Sequence, residues 1–147
     1  MTNNEVLKIC LAALNEADCR KVIKELLSLK TVSRQTKVRF AFYCAKQALP
    51  NCPKGARPKE ERCLALVERW LANPRTVSEE ELREAADAAY AAYAADAAVA
   101  AYSAYYAARS FPNEQREAKL KEFKAVCVKL VLIEAGLFNE TVGLLYF

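Results

Sequence analysis

The stretch from residue 79 to residue 110 constrains the fold more than any other part of the chain, because it contains neither glycine nor proline. Alanine dominates this stretch, and alanine has the highest helix propensity of all residues. Ser78, directly before the stretch, and Glu81, three residues later, have the spacing of a capping box, which marks the start of a helix. The stretch therefore predicts one helix of roughly 30 residues, about 45–50 Å long at about 1.5 Å per residue.

The large residues of this helix follow a triplet repeat, in which residues 88–105 read AAY AAY AAD AAV AAY SAY. Three residues turn a helix by about 300°, so each large residue is displaced by about 60° from the one before. We therefore expect the large residues to spiral, with no single apolar face, and the helix to be the central post of a bundle. Asp96 would then be a buried carboxylate that needs a tyrosine, lysine or arginine partner. Since a domain of this size is about 40 Å across, the helix either projects from it or bends near Asp96.

Amphipathic patterns predict five further helices, with apolar residues recurring every three or four positions. Their starts are predicted near Thr2, Asp18, Arg34, Pro58 and Pro112. The segment from residue 49 to residue 58 holds three prolines and one glycine and predicts a loop. The last helix is predicted to bury Val126, Leu130 and Ile133 among others and to end at Gly136. The fold class is therefore all-α, a single-domain bundle (1–147) of about six helices around a long Ala/Tyr-rich central helix.

The six cysteines form no C-x-x-C pair, so their spacing does not indicate a thiolate metal site. Five of them fall on predicted helices, mostly on apolar sides, where reduced thiols behave as small hydrophobic side chains. No secretory signal is visible at the start of the sequence, and the 85–108 segment is too weakly apolar, with Asp87 and Asp96 inside it, to predict a membrane span. A soluble protein of the reducing cytoplasm is the expectation.

Catalytic chemistry finds little support in the residue types present. The chain has no histidine, which is the commonest general base and metal ligand, and no glycine-rich phosphate loop. Cys52 lies in the predicted loop but has no histidine to activate it. We predict a protein that is not an enzyme, with no catalytic residues, no metal and no cofactor.

Charge is distributed unevenly and defines two candidate partner-binding clusters. Residues 1–62 carry 13 Lys and Arg against 6 Asp and Glu, whereas residues 63–111 carry 4 against 7. The basic cluster is placed at the start of the third helix and the acidic cluster at the start of the long helix; together they comprise Arg34, Lys37, Arg39, Glu79, Glu80, Glu81, Glu84 and Asp87. Solvated helix surfaces and dipole capping are the plainer explanations for both clusters.

A series of motifs between residues 42 and 108 resembles a known family. In order, these are Cys44-Ala45, Leu49-Pro50, Arg57-Pro58, the helical segment 62–71 that contains Trp70, and an acidic helix start leading into the alanine run. This order resembles the fifth immunity family of bacterial polymorphic toxin systems and its phage relatives. Members of that family carry histidine and arginine within the alanine run, where this chain has tyrosine and aspartate.

The resemblance implies an all-helical, non-catalytic inhibitor that neutralises a partner protein, such as a toxin, by stoichiometric binding. A phage-encoded inhibitor of a host defence enzyme would work in the same way, in the host cytoplasm. In either case the acidic cluster could complement the basic cleft of a nuclease, and tyrosines and arginines would be the expected anchors.

Two alternatives remain open from the sequence. The basic N-terminal third suits a nucleic-acid-binding helical protein, although a tyrosine stacking platform needs interleaved cations and the long helix has only Arg83 and Arg109, at its ends. Nucleic acid is therefore the less favoured partner. The apolar tail, residues 144–147, could instead drive assembly into a homo-oligomer.

Overall fold

The chain folds as a bundle of α-helices, as the sequence predicts. The computed structural model describes residues 1–81, 97–139 and 142–143. Over these residues the helices are α1 (Asn3–Asn15), α2 (Cys19–Leu27), α3 (Arg34–Ala48), α4 (Arg57–Ala72), α5 (Ala97–Arg109) and α6 (Asn113–Glu134). Short 3-10 turns, Leu49–Asn51 and Pro74–Thr76, follow α3 and α4. The predicted all-α, single-domain fold is confirmed.

The structure describes the two ends of the stretch for which one long helix is predicted. Residues 79–81 are helical, and α5 covers residues 97–109. The length of the helix, a bend near Asp96 and the partner of Asp96 all concern residues 82–96, which lie outside the described residues. The apolar tail of the chain, residues 144–147, lies outside them as well.

Three helix ends form as their local sequences predict. The Glu5 backbone N–H donates to Thr2 Oγ1 at 3.2 Å, and the Thr2 backbone N–H donates to Glu5 Oε2 at 3.3 Å, which completes a capping box. The same reciprocal pair joins Ser78 and Glu81, at 3.0 and 3.2 Å. Gly136 closes α6 with a φ of 73°, a left-handed conformation that glycine adopts without steric cost. Short-range hydrogen bonds therefore decide where these helices begin and end.

One continuous core receives side chains from all six helices. Helix α6 contacts α1, α2, α3 and α5, and its Phe123, Cys127 and Leu132 are completely buried. The prediction that Ile133 faces inward is wrong, since half of this residue is exposed. The buried side of α6 is instead centred near Lys124, and at about 100° per residue Ile133 lies opposite it. The periodicity therefore predicted a buried side, but with the wrong rotation about the helix axis.

The side of α5 that enters the core consists of small residues. Ala100, Ala104, Ala107 and Ala108 are buried together with Ser103 against α2, α3 and α6. Tyr102 and Tyr106, on the opposite side, remain 48% and 51% exposed. The expectation that this helix has no single apolar face is therefore wrong for residues 97–109, where small residues form one buried side. Alanine lets neighbouring helices approach closely, so the contact selects the small residues and leaves the tyrosines outside.

Candidate functional site

The acidic and basic clusters predicted from the sequence meet in the structure. The Arg34 guanidinium binds the Glu79 carboxylate through two contacts, Nη1–Oε1 at 3.1 Å and Nη2–Oε2 at 3.4 Å. The same guanidinium lies over the Trp70 ring, 5.2 Å from its centroid. The ion pair joins the start of α3 to the helical residues 79–81. Arg34 also contacts α4 through Trp70.

The remaining members of these clusters have varied surroundings. Glu81 closes its own capping box with Ser78, and Glu80 is exposed. Lys37 is half-buried and Arg39 is exposed, and neither forms a salt bridge within the part of the chain that the structure describes. Glu84, Asp87 and Asp96 lie outside the described residues. In the acidic cluster, Glu81 thus has a capping role. In the basic cluster, Arg34 already binds Glu79 and offers less charge to a partner protein.

A different surface brings tyrosines and arginines together on α5 and α2; we call it the arginine–tyrosine surface, and it consists of Arg20, Tyr102, Tyr105, Tyr106 and Arg109. The Arg20 guanidinium lies over the Tyr105 ring, 3.9 Å from its centroid, and 5.7 Å from that of Tyr102. Arg109 approaches Tyr105 from its own helix at 5.6 Å. Tyr102 and Tyr106 stack with centroids 5.8 Å apart, and Tyr105 meets Tyr106 edge-on at 5.9 Å.

Helical spacing accounts for the α5 half of this surface. Tyr102, Tyr105, Tyr106 and Arg109 are three, four and seven positions apart, which places them on one side of the helix, opposite the buried alanines. That spacing is visible in the sequence and could have identified them. Arg20 carries no such signal, because only the packing of α2 against α5 brings it beside Tyr105.

The α2 half adds positive charge beside the tyrosines. Arg20, Lys21 and Lys24 line a shallow groove of about 220 Å³ together with Ala98, Ala101 and Tyr102. All three cations are exposed, and none forms a salt bridge with a carboxylate over residues 1–81, 97–139 and 142–143. Glu25 on the same helix lies beside Lys21 and Lys24 and offsets only part of their charge. The surface is therefore both aromatic and basic.

Five of the six cysteines are buried, as predicted for those on helices, and the three in the core do not form a reactive centre. Cys10, Cys44 and Cys127 come from α1, α3 and α6 and are completely buried. Burial raises the pKa of Cys10 to about 11, and it raises the pKa of Cys44 and of Cys127 well above the usual thiol value. Since the thiolate is the nucleophilic form, these thiols are inert in the folded protein. Above about pH 9 the unfolded Cys10 ionises first, so its contribution to stability is lost as the pH rises towards 11.

Alkylation should distinguish these thiols from Cys52, which is partly exposed in the loop after α3. With iodoacetamide at about pH 8, Cys52 should react first, while Cys10, Cys44 and Cys127 react only after unfolding in urea. Peptide mass spectrometry of samples quenched over time measures this order. A Cys52→Ser variant should lose the fast reaction, whereas rapid alkylation of Cys127 in the native protein would contradict the packing described above.

The described residues contain no group of three or more cysteine, aspartate or glutamate side chains arranged to hold a metal ion. Nor does any helix among them have the length and the apolar character needed to cross a bilayer. What the described part of the chain presents is a helical scaffold with a basic, aromatic surface, which is an arrangement suited to binding.

The fold is an all-α bundle that presents a basic, aromatic surface, and the comparison with protein families places the chain more closely. Residues 10–136 match DUF6931, a family of unknown function. The chain therefore belongs to the DUF6931 family. No curated protein and no solved structure matches it.

Proposed function

We propose that this protein neutralises a partner protein, such as a toxin, by stoichiometric binding and without catalysis, in the manner of immunity proteins. The observation that carries the proposal is the arginine–tyrosine surface. Tyr102 and Tyr106 are about half exposed, and Arg20 lies over the Tyr105 ring. Tyrosine and arginine are the residue types enriched at the energetic centres of protein interfaces.

The geometry of the surface also favours tight binding. Contacts among Tyr102, Tyr105 and Tyr106 restrict the rings before a partner arrives. Ordering of free side chains at an interface costs about 0.5–1.5 kcal/mol each, and a surface that is already ordered avoids part of this cost. The buried alanines on the opposite side of α5 pack this helix, and with it the surface, against the core. Inhibition then requires only that the bound protein cover the working surface of its partner.

A phage-encoded inhibitor of a host defence system is the same proposal with a different partner, since its mechanism is also occlusion. Nucleic-acid binding is a second candidate, and one observation favours it. Arg20, Lys21 and Lys24 add three cations beside the tyrosines, whereas among its described residues α5 itself supplies Arg109. That candidate predicts binding which weakens steeply as the salt concentration rises.

Co-expression tests the proposal. Each reading frame adjacent to the gene is expressed under an inducible promoter, with and without this protein, and growth is followed. We expect one neighbour to be toxic alone, and the protein to restore growth and to form an equimolar complex with it, measured by size-exclusion chromatography with light scattering. The double variant Tyr102→Ala/Tyr106→Ala should weaken that complex by roughly 30-fold or more.

Arg62→Ala provides the control, because Arg62 is exposed on α4 and belongs neither to the two charge clusters nor to the arginine–tyrosine surface, and it should leave binding unchanged. Protection of the partner's target at molar ratios far below one would indicate turnover and would contradict a stoichiometric inhibitor. Restored growth without any complex would contradict it as well.

A further inference from the structure

We infer that the arginine–tyrosine surface binds a carboxylate-rich segment of its partner, with Arg20 as the central anchor. The inference rests on the proposed function for its biological setting, and it adds the chemistry of the partner. It depends on three features of the described residues: the position of Arg20, the cations around it, and the rings that lie beneath them.

Arg20 is held in place but keeps its hydrogen-bonding capacity. Its guanidinium lies 3.9 Å from the centroid of the Tyr105 ring, while the residue is exposed on α2. None of the hydrogen bonds or salt bridges found among the described residues involves its N–H groups. A guanidinium presents its donors as a planar fork that fits the two oxygens of a carboxylate. A ring-supported arginine therefore loses less conformational freedom when it binds an acid.

Further cations lie on both sides of this anchor. Lys21 and Lys24 line the groove on the α2 side, and Arg109 approaches Tyr105 along α5. Among the described residues, Glu25 is the carboxylate that lines the neighbouring part of this groove with the two lysines. The Debye length at physiological salt is about 8 Å, so these cations act together on a charged segment that passes over them. Several acidic residues in one short segment fit such a row better than a single acid does.

The arrangement of the rings favours an acidic protein segment over a nucleic acid. Single-stranded nucleic acids bind by stacking bases on open aromatic faces. Here Arg20 covers one face of Tyr105, and Tyr102 stacks on Tyr106 with an interplanar angle of 27°. Ring area that the protein itself occupies is not free for bases. The cations remain, and they are partners for carboxylates.

Fluorescence anisotropy with defined probes tests the inference. The probes are a short fluorescein-labelled poly-glutamate peptide, a poly-glutamine peptide of the same length, and an oligothymidylate of the same charge, all at low ionic strength. We expect the poly-glutamate peptide to bind best. Arg20→Ala should weaken its binding at least about tenfold. Arg62→Ala, which removes the same charge from an exposed site on α4, should change it by less than about twofold. Amide NMR shifts on adding the peptide should cluster on α2 and α5.

The outcomes separate the alternatives. Tighter binding of the oligothymidylate, with the same dependence on Arg20, would identify a nucleic-acid site and overturn the inference. Equal effects of Arg20→Ala and Arg62→Ala would show that the peptide responds only to net charge, and this result would also overturn the inference. If a complex with a neutralised partner forms as proposed and survives Arg20→Ala, this inference fails and the proposed function stands. Peptide binding through Arg20, with no neutralised partner, would leave the inference intact and remove the proposed function.

Discussion

Replacing Lys124 with methionine is expected to lower the free energy of unfolding by about 3 kcal/mol. Lys124 is only 6% exposed, and its Nζ donates to the backbone carbonyl oxygens of Leu14, at 3.1 Å, and Glu16, at 2.7 Å. These carbonyls lie in the last turn and at the C-cap of α1, where a helix presents acceptors without intrahelical partners and a negative dipole end. Methionine fills a similar volume but donates nothing, so both acceptors lose their charged donor.

Urea unfolding measures this effect, with Lys121→Met as the matched control. Lys121 is an exposed lysine on the same helix, and its replacement should change stability by less than about 0.5 kcal/mol. At roughly 2–4 °C per kcal/mol for a chain of this size, Lys124→Met should also lower Tm by about 10 °C. Equal stability of the two variants would mean that Lys124 does not hold α1 onto α6.

Ala104→Leu is expected to destabilise the protein by about 2–3 kcal/mol, although leucine is nearly as good a helix former as alanine. Ala104 is completely buried on the side of α5 that packs against α2, α3 and α6. Extra methyl groups at such a contact force neighbouring helices apart or drive side chains out of their preferred rotamers. The loss would therefore measure how closely these helices approach at α5.

The control for this variant is Ala118→Leu, at an exposed position of α6, which should change stability by less than about 0.5 kcal/mol. Chemical unfolding followed by far-ultraviolet circular dichroism compares the two variants. Should Ala104→Leu prove neutral or stabilising, the alanine side of α5 would have room for larger residues, and α5 would not be a close contact.

The charge clusters chosen from the sequence do not coincide with the arginine–tyrosine surface. Arg34 and Glu79 were assigned to separate candidate surfaces, yet they bind each other. Charges far apart in the sequence often pair across a fold, and each then reduces what the other can offer to a partner. Three of the cations beside the exposed tyrosines, Arg20, Lys21 and Lys24, belong to α2, where the sequence shows only an ordinary amphipathic helix.

The class of fold and several helix ends can be predicted from local patterns in the sequence. The capping boxes at Thr2 and Ser78 and the glycine at 136 act through hydrogen bonds and dihedral angles within a few residues. Such short-range effects do not depend on the rest of the fold, so they can be read from local spacing. The burial of Cys10, Cys44 and Cys127 followed equally from their places in apolar helix patterns.

The rotation of each helix about its axis, which sets the side that faces its neighbours, depends on tertiary packing. Lys124 counts as polar in any pattern, yet it lies near the middle of the buried side of α6, because its ammonium donates to carbonyl groups at the C-terminal end of α1. The alanines of α5 face inward and its tyrosines outward because three helices approach it closely. The contact between Arg20 and Tyr105 follows from that rotation. A periodic pattern predicts that a helix has a buried side, but close packing and the partners available to polar groups select which side it is.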